Sequence, residues 1–331
     1  MTFQPPLLAA PMMMAGATNV RDYGAMGDDT SDDTEAIQTA ISATPSGGTI
    51  YLPAGRYRIS RALVIDDNCR FIGDGAYPIW GSQAADFNSI NLPIAPPWIS
   101  GTVLVQVSPG ENGINLRGAG RTQHISGIAI IFEGLHQFRS TGHGILAVPP
   151  EHAGGYDNGL SGSIWENIVV FGHDGDHYGF HITNGIYNDF TSLMAFGGGV
   201  LLLDNNSTVD GHYGNTNFAS LYGQVFVGGS ADGIRLKSTT HMLNLLSFIR
   251  PQVTVGDMSE TFDVPAPATT SQQMLRSDEG VWNVSMLAFD FETSVGSTIT
   301  PPIIDCWMDP AGLAPTWIRP TRADKTERGE S

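Results

Sequence analysis

Cysteine and long apolar runs are scarce in this chain of 331 residues. Its two cysteines, Cys69 and Cys306, lie far apart, so a disulfide would require the two ends of the fold to meet. No apolar run reaches the length that spans a membrane. The apolar start, residues 1–18, lacks the basic segment of a signal peptide, and we interpret it as a loose arm or as a segment that docks on a neighbour.

Positive charge is also scarce. Sixteen Lys and Arg residues face 33 Asp and Glu residues, which leaves a formal net charge of −17. Such a surface repels phosphates and anionic membranes, so we expect no nucleic acid and no membrane among the partners. The only lysines are Lys237 and Lys325, and Arg235 is the basic residue that we place beside a strand. Because elimination on uronates calls for a basic side chain, this scarcity argues against a pectate lyase proper.

Glycine and proline, by contrast, are plentiful, with 40 and 20 residues. They show no triplet period, which excludes a collagen-like chain, and instead punctuate many short strands. The hydrophobic fraction of 41% is enough for a sizeable core. One elongated all-β domain is therefore a natural expectation.

The stretch from Asn19 to Ser60 carries the densest set of local signals. Val20–Tyr23 alternates like a short strand, and a turn rich in glycine and aspartate follows it. Asp32, Asp33 and Thr34 offer N-cap oxygens for a helix. The apolar residues at helical spacing are Ala36, Ile37, Ala40 and Ile41. Two further strands are expected at Thr49–Leu52 and Tyr57–Ile59.

Three runs, DYGAMGDDTSDDTEAIQTAI, GGTIYLPAGRYRIS and FIGDG, resemble the N-terminal module of pectate-lyase-like β-helix proteins, which include phage tailspike depolymerases. The resemblance implies a right-handed parallel β-helix (a solenoid) whose open first coil is capped by an N-terminal helix. It also implies side-by-side association as a homotrimer. The match lies within residues 19–75, and the rest of the chain agrees by pattern only.

Beyond residue 102, apolar residues recur about every 25 residues, with one longer step of about 40, as in stacked coils. We expect Ile128, Ile168, Leu193 and Leu221 to point into one bore. The longer step holds an inserted loop, residues 147–163. The predicted division is an arm at 1–18, the cap and first coils at 19–75, the β-helix at 76–256, final coils or a C-terminal cap at 257–318, and a flexible tail at 319–331.

Carboxylates on neighbouring coils are the candidate catalytic groups. Alignment of the coils brings Glu133, Asp174 and Asp176 to similar turns, and stacked coils lie about 4.8 Å apart. Separations of about 5 to 10 Å would suit retaining or inverting glycosidases, and crowding of like charges would raise one pKa. The alternative is that these are ordinary solvated acidic turns.

Further polar residues are candidates for substrate binding, because aromatic rings and planar acceptors suit sugars. They are His173, His177, Glu151, Tyr156, Asp157, Asp204 and Asp210. A metal site from His173, Asp174, Asp176 and His177 is conceivable, but alternation along a strand would split these side chains between faces, so we expect no metal and no cofactor. The Gly142–Gly144 and Arg235–Lys237 pieces resemble polygalacturonase motifs, but in the wrong order, and we treat that match as chance.

Three functions remain open. The first is a tailspike-type protein, on a phage tail or extracellular, that binds a bacterial capsule or exopolysaccharide and hydrolyses it. Other virion tail proteins would be its further partners. The second is a non-catalytic adhesive rod on a virion or cell surface. The third is a bacterial secreted glycosidase, fructotransferase or lyase. The fold by itself does not decide among them.

Overall fold

The computed structural model describes residues 16–66, 68–78, 99–117, 123–133, 142–148, 159–205, 213–226, 231–238, 243–256, 275–277, 284–287, 290–293 and 304–306. Within them the chain forms a right-handed parallel β-helix with one short capping helix, as the sequence predicts. No helix in these ranges is long and apolar enough to cross a membrane.

The N-terminal module follows the predicted order with two corrections, at Val20–Tyr23 and at Asp28–Asp32, where a strand forms that the sequence did not predict. Strand β1 (Thr18–Asn19) leads into a 3-10 helix (Val20–Tyr23), where a strand was predicted. The Asn19 side chain accepts a hydrogen bond from the Arg21 backbone N–H at 3.0 Å, and Gly24 ends the turn at φ 101°. Because an N-cap oxygen and a left-handed glycine flank only four residues, they close a tight turn instead of an extended strand.

Helix α1 (Thr34–Ala43) follows strand β2 (Asp28–Asp32). Its first turn is capped by Asp32, whose carboxylate accepts from the Thr34 backbone N–H at 3.0 Å. Asp33 serves the preceding loop, accepting from the backbone N–H groups of residues 26 and 27. Ile37 and Ala40 are fully buried against the core. The apolar stripe of the helix therefore covers the first coil.

The remaining strands stack on three faces of a solenoid. Face 1 consists of β1, β3 (Thr49–Leu52), β6 (Cys69–Gly73), the first parts of β10 (Gln123–Phe132), β12 (Ile164–Thr183), β13 (Asp189–Asn205) and β14 (Tyr213–Phe226), then β16 (Leu243–Ile249) and β19 (Val284–Leu287). Face 2 consists of β2, β4 (Gly55–Ile59), β8 (Ile99–Gln106), the following parts of β10, β12, β13 and β14, then β17 (Gln252–Gly256) and β20 (Asp290–Thr293).

Face 3 consists of β5 (Leu63–Ile65), β9 (Ile114–Leu116), β11 (Ile145–Ala147), the ends of β12 and β13, β15 (Ile234–Ser238), β18 (Leu275–Ser277) and β21 (Ile304–Cys306). Strand β7 (Ala76–Pro78) pairs antiparallel with β8 and lies outside the stack. The described strands beyond residue 256 continue the coils. The domain boundaries themselves stay a prediction. Residues 1–15 of the predicted arm (1–18) and the tail at 319–331 lie outside the described residues, and Thr18 at the end of that arm belongs to strand β1.

The bore is filled as predicted. Ile128, Ile168, Leu193 and Leu221 occupy one register line on face 2, and all four are buried in the same core. On face 1 the aromatic rings of Trp165, Phe190, Phe218 and Phe248 stack at centroid distances of 4.7, 5.1 and 4.8 Å. No single coil could bury such rings alone, so the stack depends on its neighbours.

A row of left-handed residues turns the chain from face 1 to face 2 in successive coils. Its members are Gly127, Asn167, Ser192, Ser220 and Arg250, with φ between 53° and 66°. A left-handed conformation costs a non-glycine residue roughly 1–2 kcal/mol. The flanking strand pairs impose it, because each of these residues lies at the step between two stacked strands.

Candidate functional site

The long strand β12 carries a bulge where it passes from face 2 to face 3. Against β13, His173 pairs with Gly197 and Tyr178 pairs with Gly199. The segment Asp174–His177 therefore lies opposite Gly198 alone, and its extra residues are pushed out of the coil stack. Bulges of this kind re-aim side chains and are common beside active sites. We call this segment the bulge.

Three successive glycines allow the bulge to fit against the next coil. A Cβ atom on Gly198 would overlap the backbone carbonyl oxygens of Asp174 and His177, and one on Gly197 would overlap that of His173. The backbone of β13 therefore approaches the bulge more closely than any side chain would permit.

Within the bulge, Asp174 and His177 form a hydrogen-bonded dyad. The His177 Nδ1 lies 2.6 Å from a carboxylate oxygen of Asp174, which also accepts from the Asp176 backbone N–H at 3.1 Å. The Asp174 side chain is almost fully buried, whereas Asp176 is exposed. The hydrogen bond to this carboxylate is the main cause that raises the pKa of His177.

His143 enters the site from the segment that precedes β11. Its Nδ1 accepts from the Tyr178 backbone N–H at 3.0 Å, so the proton of the neutral ring sits on Nε2, 3.3 Å from His181 Nδ1. The His143 ring lies 4.9 Å from that of His177 and 4.7 Å from that of His181, both edge-on. We call His143, His177 and His181 the histidine cluster.

The imidazoles around the bulge differ in their tendency to hold a proton. Burial lowers the pKa of His143 to about 3, with neighbouring histidines adding to the effect. Burial also lowers the pKa of His181 to about 4. His177, in contrast, has a raised pKa. A proton-holding imidazole beside neutral ones is an arrangement suited to acid–base chemistry.

His173, a predicted substrate-binding residue, supports the bulge from inside. Its side chain has no exposed surface, and its Nε2 donates to the Gly199 carbonyl at 2.7 Å. Burial lowers its pKa to about 4. A group enclosed in this way cannot contact a polysaccharide directly, and we correct its role to one of positioning.

Glu133, a predicted catalytic residue, is held by a counter-charge. Both of its carboxylate oxygens accept from the guanidinium of Arg58, at 2.8 and 2.7 Å. The sequence predicted that Glu133 would crowd against other carboxylates; instead, a planar two-point ion pair compensates its charge. The expected crowding of acids is therefore corrected at this position.

A cationic strip follows the histidine cluster along face 3. Arg235 and Arg276 are stacked in register, and Lys237 pairs with Asp204 at 3.2 Å. Asp232 lies 3.4 Å from Arg276 and 4.0 Å from Arg235. We call Arg235, Lys237 and Arg276 the cationic strip. Three basic side chains on one face concentrate positive charge locally in a chain whose net charge is −17.

Tyr178 joins the two features. Its hydroxyl accepts from the Asp232 backbone N–H at 3.1 Å, while its own backbone N–H binds His143. Burial raises the pKa of this phenol. Asp204, a predicted substrate-binding residue, lies beside the histidine cluster because it is the ion-pair partner of Lys237 in the cationic strip.

The other predicted binding residues, Glu151, Tyr156, Asp157 and Asp210, lie outside the described residues. Among those that the structure does describe, no three or more His, Cys, Asp or Glu side chains are arranged to hold a metal ion. The alternative metal site around His173 has no such arrangement in this part of the chain.

The sequence analysis missed His143, Tyr178 and His181 as parts of one site. One signal could have found them. The runs Gly144–Leu146 and Gly179–His181 belong to the same repeating series, and the structure pairs Ile145 with Phe180. Aligning those runs places His143 beside Tyr178.

The buried histidines predict a loss of stability in mild acid. For His143, His173 and His181 the folded pKa lies below the ordinary 6.5, so the unfolded chain binds protons first as pH falls. Each lowers the free energy of unfolding by up to about 1.4 kcal/mol per pH unit between its two pKa values. His177 acts with the opposite sign. Its raised pKa stabilises the fold below pH 6.5, and this stabilisation is lost as the pH rises through the pKa of His177 in the folded protein.

Three histidines destabilise the fold as the pH drops from 6.5 towards 4, and only His177 acts in the opposite direction. We therefore expect the Tm to fall over this range. Thermal unfolding followed by circular dichroism across this range measures the slope, and His181→Gln should flatten it. A Tm that is constant or higher at pH 4.5 would contradict the assignment of neutral imidazoles.

Comparison with known proteins gives a family match over most of the chain. A family model described as "Rhamnogalacturonase A/epimerase, pectate lyase-like" matches residues 17–261. Mannuronan C5-epimerase AlgE4 of Azotobacter vinelandii is 52% identical over 61 residues, which are 18% of this chain and 11% of that protein. Mannuronan C5-epimerase AlgE5 of the same organism is 28% identical over 235 residues, 55% of this chain and 22% of that protein.

These matches cover less than a quarter of the length of either relative. Among solved structures, the chain is similar to tailspike protein 3 of bacteriophage CBA120, with 10% identity and a TM-score of 0.45, over 82% of this chain and 44% of that one.

Proposed function

This chain belongs to the rhamnogalacturonase A/epimerase, pectate lyase-like family, and we propose that it binds an acidic polysaccharide and modifies it at the histidine cluster. One observation carries the proposal: His177 has a raised pKa through its hydrogen bond to Asp174, and it lies against His143, whose pKa burial lowers. An imidazole that holds a proton and a neutral imidazole are then within one ring contact of each other.

The proposed substrate is a polymer of uronic acid. A polyanion is repelled by a surface of net charge −17 unless cations are focused where it binds, and the cationic strip sets three cations beside the cluster against the two carboxylates of Asp204 and Asp232, which leaves a local excess of positive charge. Relatives named as mannuronan C5-epimerases and as an alginate lyase support the same choice. The proposed reaction is removal of the proton next to the sugar carboxylate by a neutral imidazole of the cluster, while protonated His177 returns a proton to the opposite face of that carbon or gives it to the departing glycosidic oxygen.

This chemistry differs from the paired-carboxylate hydrolysis that the sequence predicted. Glu133 is engaged at both carboxylate oxygens by Arg58, so it is not left to act as a free acid or nucleophile, and Asp174 is hydrogen-bonded to His177. Hydrolysis by Asp174 and Asp176 is kept as the second candidate, because the Asp176 carboxylate is exposed directly beside Asp174.

A product assay on a panel of mannuronan, galacturonan and neutral capsular polysaccharides separates these functions. Proton exchange at the sugar C5 in heavy water, or absorbance from unsaturated ends, on a uronate polymer is the expected result. New reducing ends without unsaturation would indicate hydrolysis instead. Binding without any product would favour the adhesive rod.

We further propose the tailspike-type setting, on a phage tail or outside the cell, with the chain as a homotrimer. The family resemblance and the apolar arm at residues 1–18 motivate the trimer. Sedimentation of the full chain at micromolar concentration should give three times the chain mass of 35.3 kDa. A monomer under those conditions would refute the trimer and leave the proposed chemistry untouched.

A further inference from the structure

A second concave surface lies at the corner between faces 1 and 2, on the coils that follow β12. It is a pocket of about 400 Å³, within the size range of small-ligand sites. Besides the buried Leu221 it is lined by Arg250, which is exposed, and by five half-buried residues, Ser192, Met194, Ser220, Tyr222 and Gln252. We call it the corner pocket. The histidine cluster lies where β12 passes from face 2 to face 3, so the two surfaces are on different edges of the solenoid.

Arg250 is the charged group of the corner pocket. It is exposed, and the structure shows no ion pair for it within the described ranges. By contrast, the guanidinium groups of Arg56, Arg58 and Arg61 on the first coils each contact a carboxylate. An arginine with no counter-charge on so acidic a protein keeps its donors available to an anion.

The corner pocket also has a fixed aromatic wall. The Tyr222 ring lies 5.5 Å from the Phe196 ring, which lies 5.9 Å from that of Phe171, and both phenylalanines are buried. This packing holds the tyrosine ring in place on the surface of face 2. The Ser192 and Ser220 hydroxyls and the Gln252 amide stand around it and can both donate and accept hydrogen bonds.

The left-handed backbone brings these groups together. Ser192, Ser220 and Arg250 are successive members of the row of left-handed residues between faces 1 and 2, at φ 54°, 58° and 53°. Because each lies at the step from face 1 to face 2, the three residues follow one another along the solenoid at the spacing of the coils. Met194, Tyr222 and Gln252 form the parallel row on face 2, in one register line.

We propose that the corner pocket is a second saccharide-binding site, which holds one anionic sugar unit of the polymer away from the histidine cluster. The sugar ring packs on Tyr222, its hydroxyls bind the serine and glutamine side chains, and its carboxylate binds the Arg250 guanidinium. The choice of a uronate as the anionic sugar rests on the proposed function. Binding to the pocket, however, is measurable without turnover.

The test is calorimetric titration of the full chain with a mannuronate hexasaccharide, in a His177→Asn background that silences the proposed reaction. Arg250→Asn removes the charge with a residue that tolerates a left-handed φ. Loss of a hydrogen bond to a charged group corresponds to a drop in affinity of about tenfold or more. Tyr222→Ala should cause a comparable loss, and Arg250→Lys should restore part of the affinity.

Arg70→Gln is the matched control, because it removes one exposed arginine on face 1 that does not line the pocket. It should leave the affinity unchanged. Equal affinity of the Arg250→Asn and Arg70→Gln proteins would overturn the proposal. A changed sedimentation coefficient in Arg250→Asn with unchanged affinity would also overturn it, since the pocket would then be covered by another copy of the chain.

Failure of the proposed function gives a different pattern. If the unmodified protein makes no product from any uronate polymer but Arg250→Asn still weakens hexasaccharide binding, the second site stands and the chemistry falls. If products form and Arg250→Asn binds normally, the chemistry stands and the second site falls.

Discussion

Replacing Asp174 with asparagine should slow turnover of a uronate polymer by about a hundredfold or more, with polysaccharide binding retained. The amide keeps the shape of the side chain but removes the charge that His177 Nδ1 meets at 2.6 Å. Without this partner the raised pKa of His177 should fall. A smaller fraction of the proposed acid would then be protonated at neutral pH, and the limb of the pH–rate profile that reports it should move to lower pH.

Steady-state kinetics from pH 5 to 9 measure this effect, and two further variants sharpen it. Asp22→Asn changes an exposed carboxylate in the N-terminal module and is the charge-matched control. Asp176→Asn decides between the two chemistries, because it should be as damaging as Asp174→Asn only if the two carboxylates act together in hydrolysis. Near-normal turnover in Asp174→Asn would move the site elsewhere, first to the residues predicted at Glu151 and Asp157.

Replacing Ile37 with aspartate should destabilise the whole protein by several kcal/mol. Ile37 is fully buried where helix α1 covers the first coil. A carboxylate at this position would lie against apolar side chains without a cationic partner, and it would open the end of the core from which the coils stack. The expected outcome is a strongly lowered Tm or insoluble protein.

Thr39→Asp is the control for that experiment, because Thr39 is exposed on the same helix. It adds the same charge at nearly the same place along the chain without entering the core. If the Ile37→Asp protein stays soluble and melts at the temperature of the Thr39→Asp protein, the helix does not close the solenoid.

Local signals explain why the architecture could be predicted. The helix over residues 34–43 follows from apolar residues at helical spacing after a run of capping aspartates. The bore follows from the spacing of Ile128, Ile168, Leu193 and Leu221, because a coil that repeats must return the same kind of side chain to the same place. The local error at Val20–Tyr23 arose where four residues satisfy either a strand or a tight turn, and the strand Asp28–Asp32 was missed because its acidic sequence is typical of a turn.

The candidate site was predicted only in part. The sequence singled out the cluster His173–His177, and the structure brings Asp174 and His177 of that cluster into contact. It also encloses His173, exposes Asp176, and adds His143 and His181, which lie outside that run. Side-chain direction within the bulge depends on a register shift against β13, and alternation along a regular strand cannot predict it.

The sequence by itself determined the solenoid, its capping helix and the identity of its bore residues, since these depend on periodicity and capping within short stretches of chain. Only the tertiary structure decided which polar groups meet. Arg58 and Glu133, 75 positions apart, form an ion pair, and His143 accepts from the Tyr178 backbone N–H 35 positions away. Such contacts depend on how far each coil is shifted against the next, and that shift is set by the packing of the whole stack.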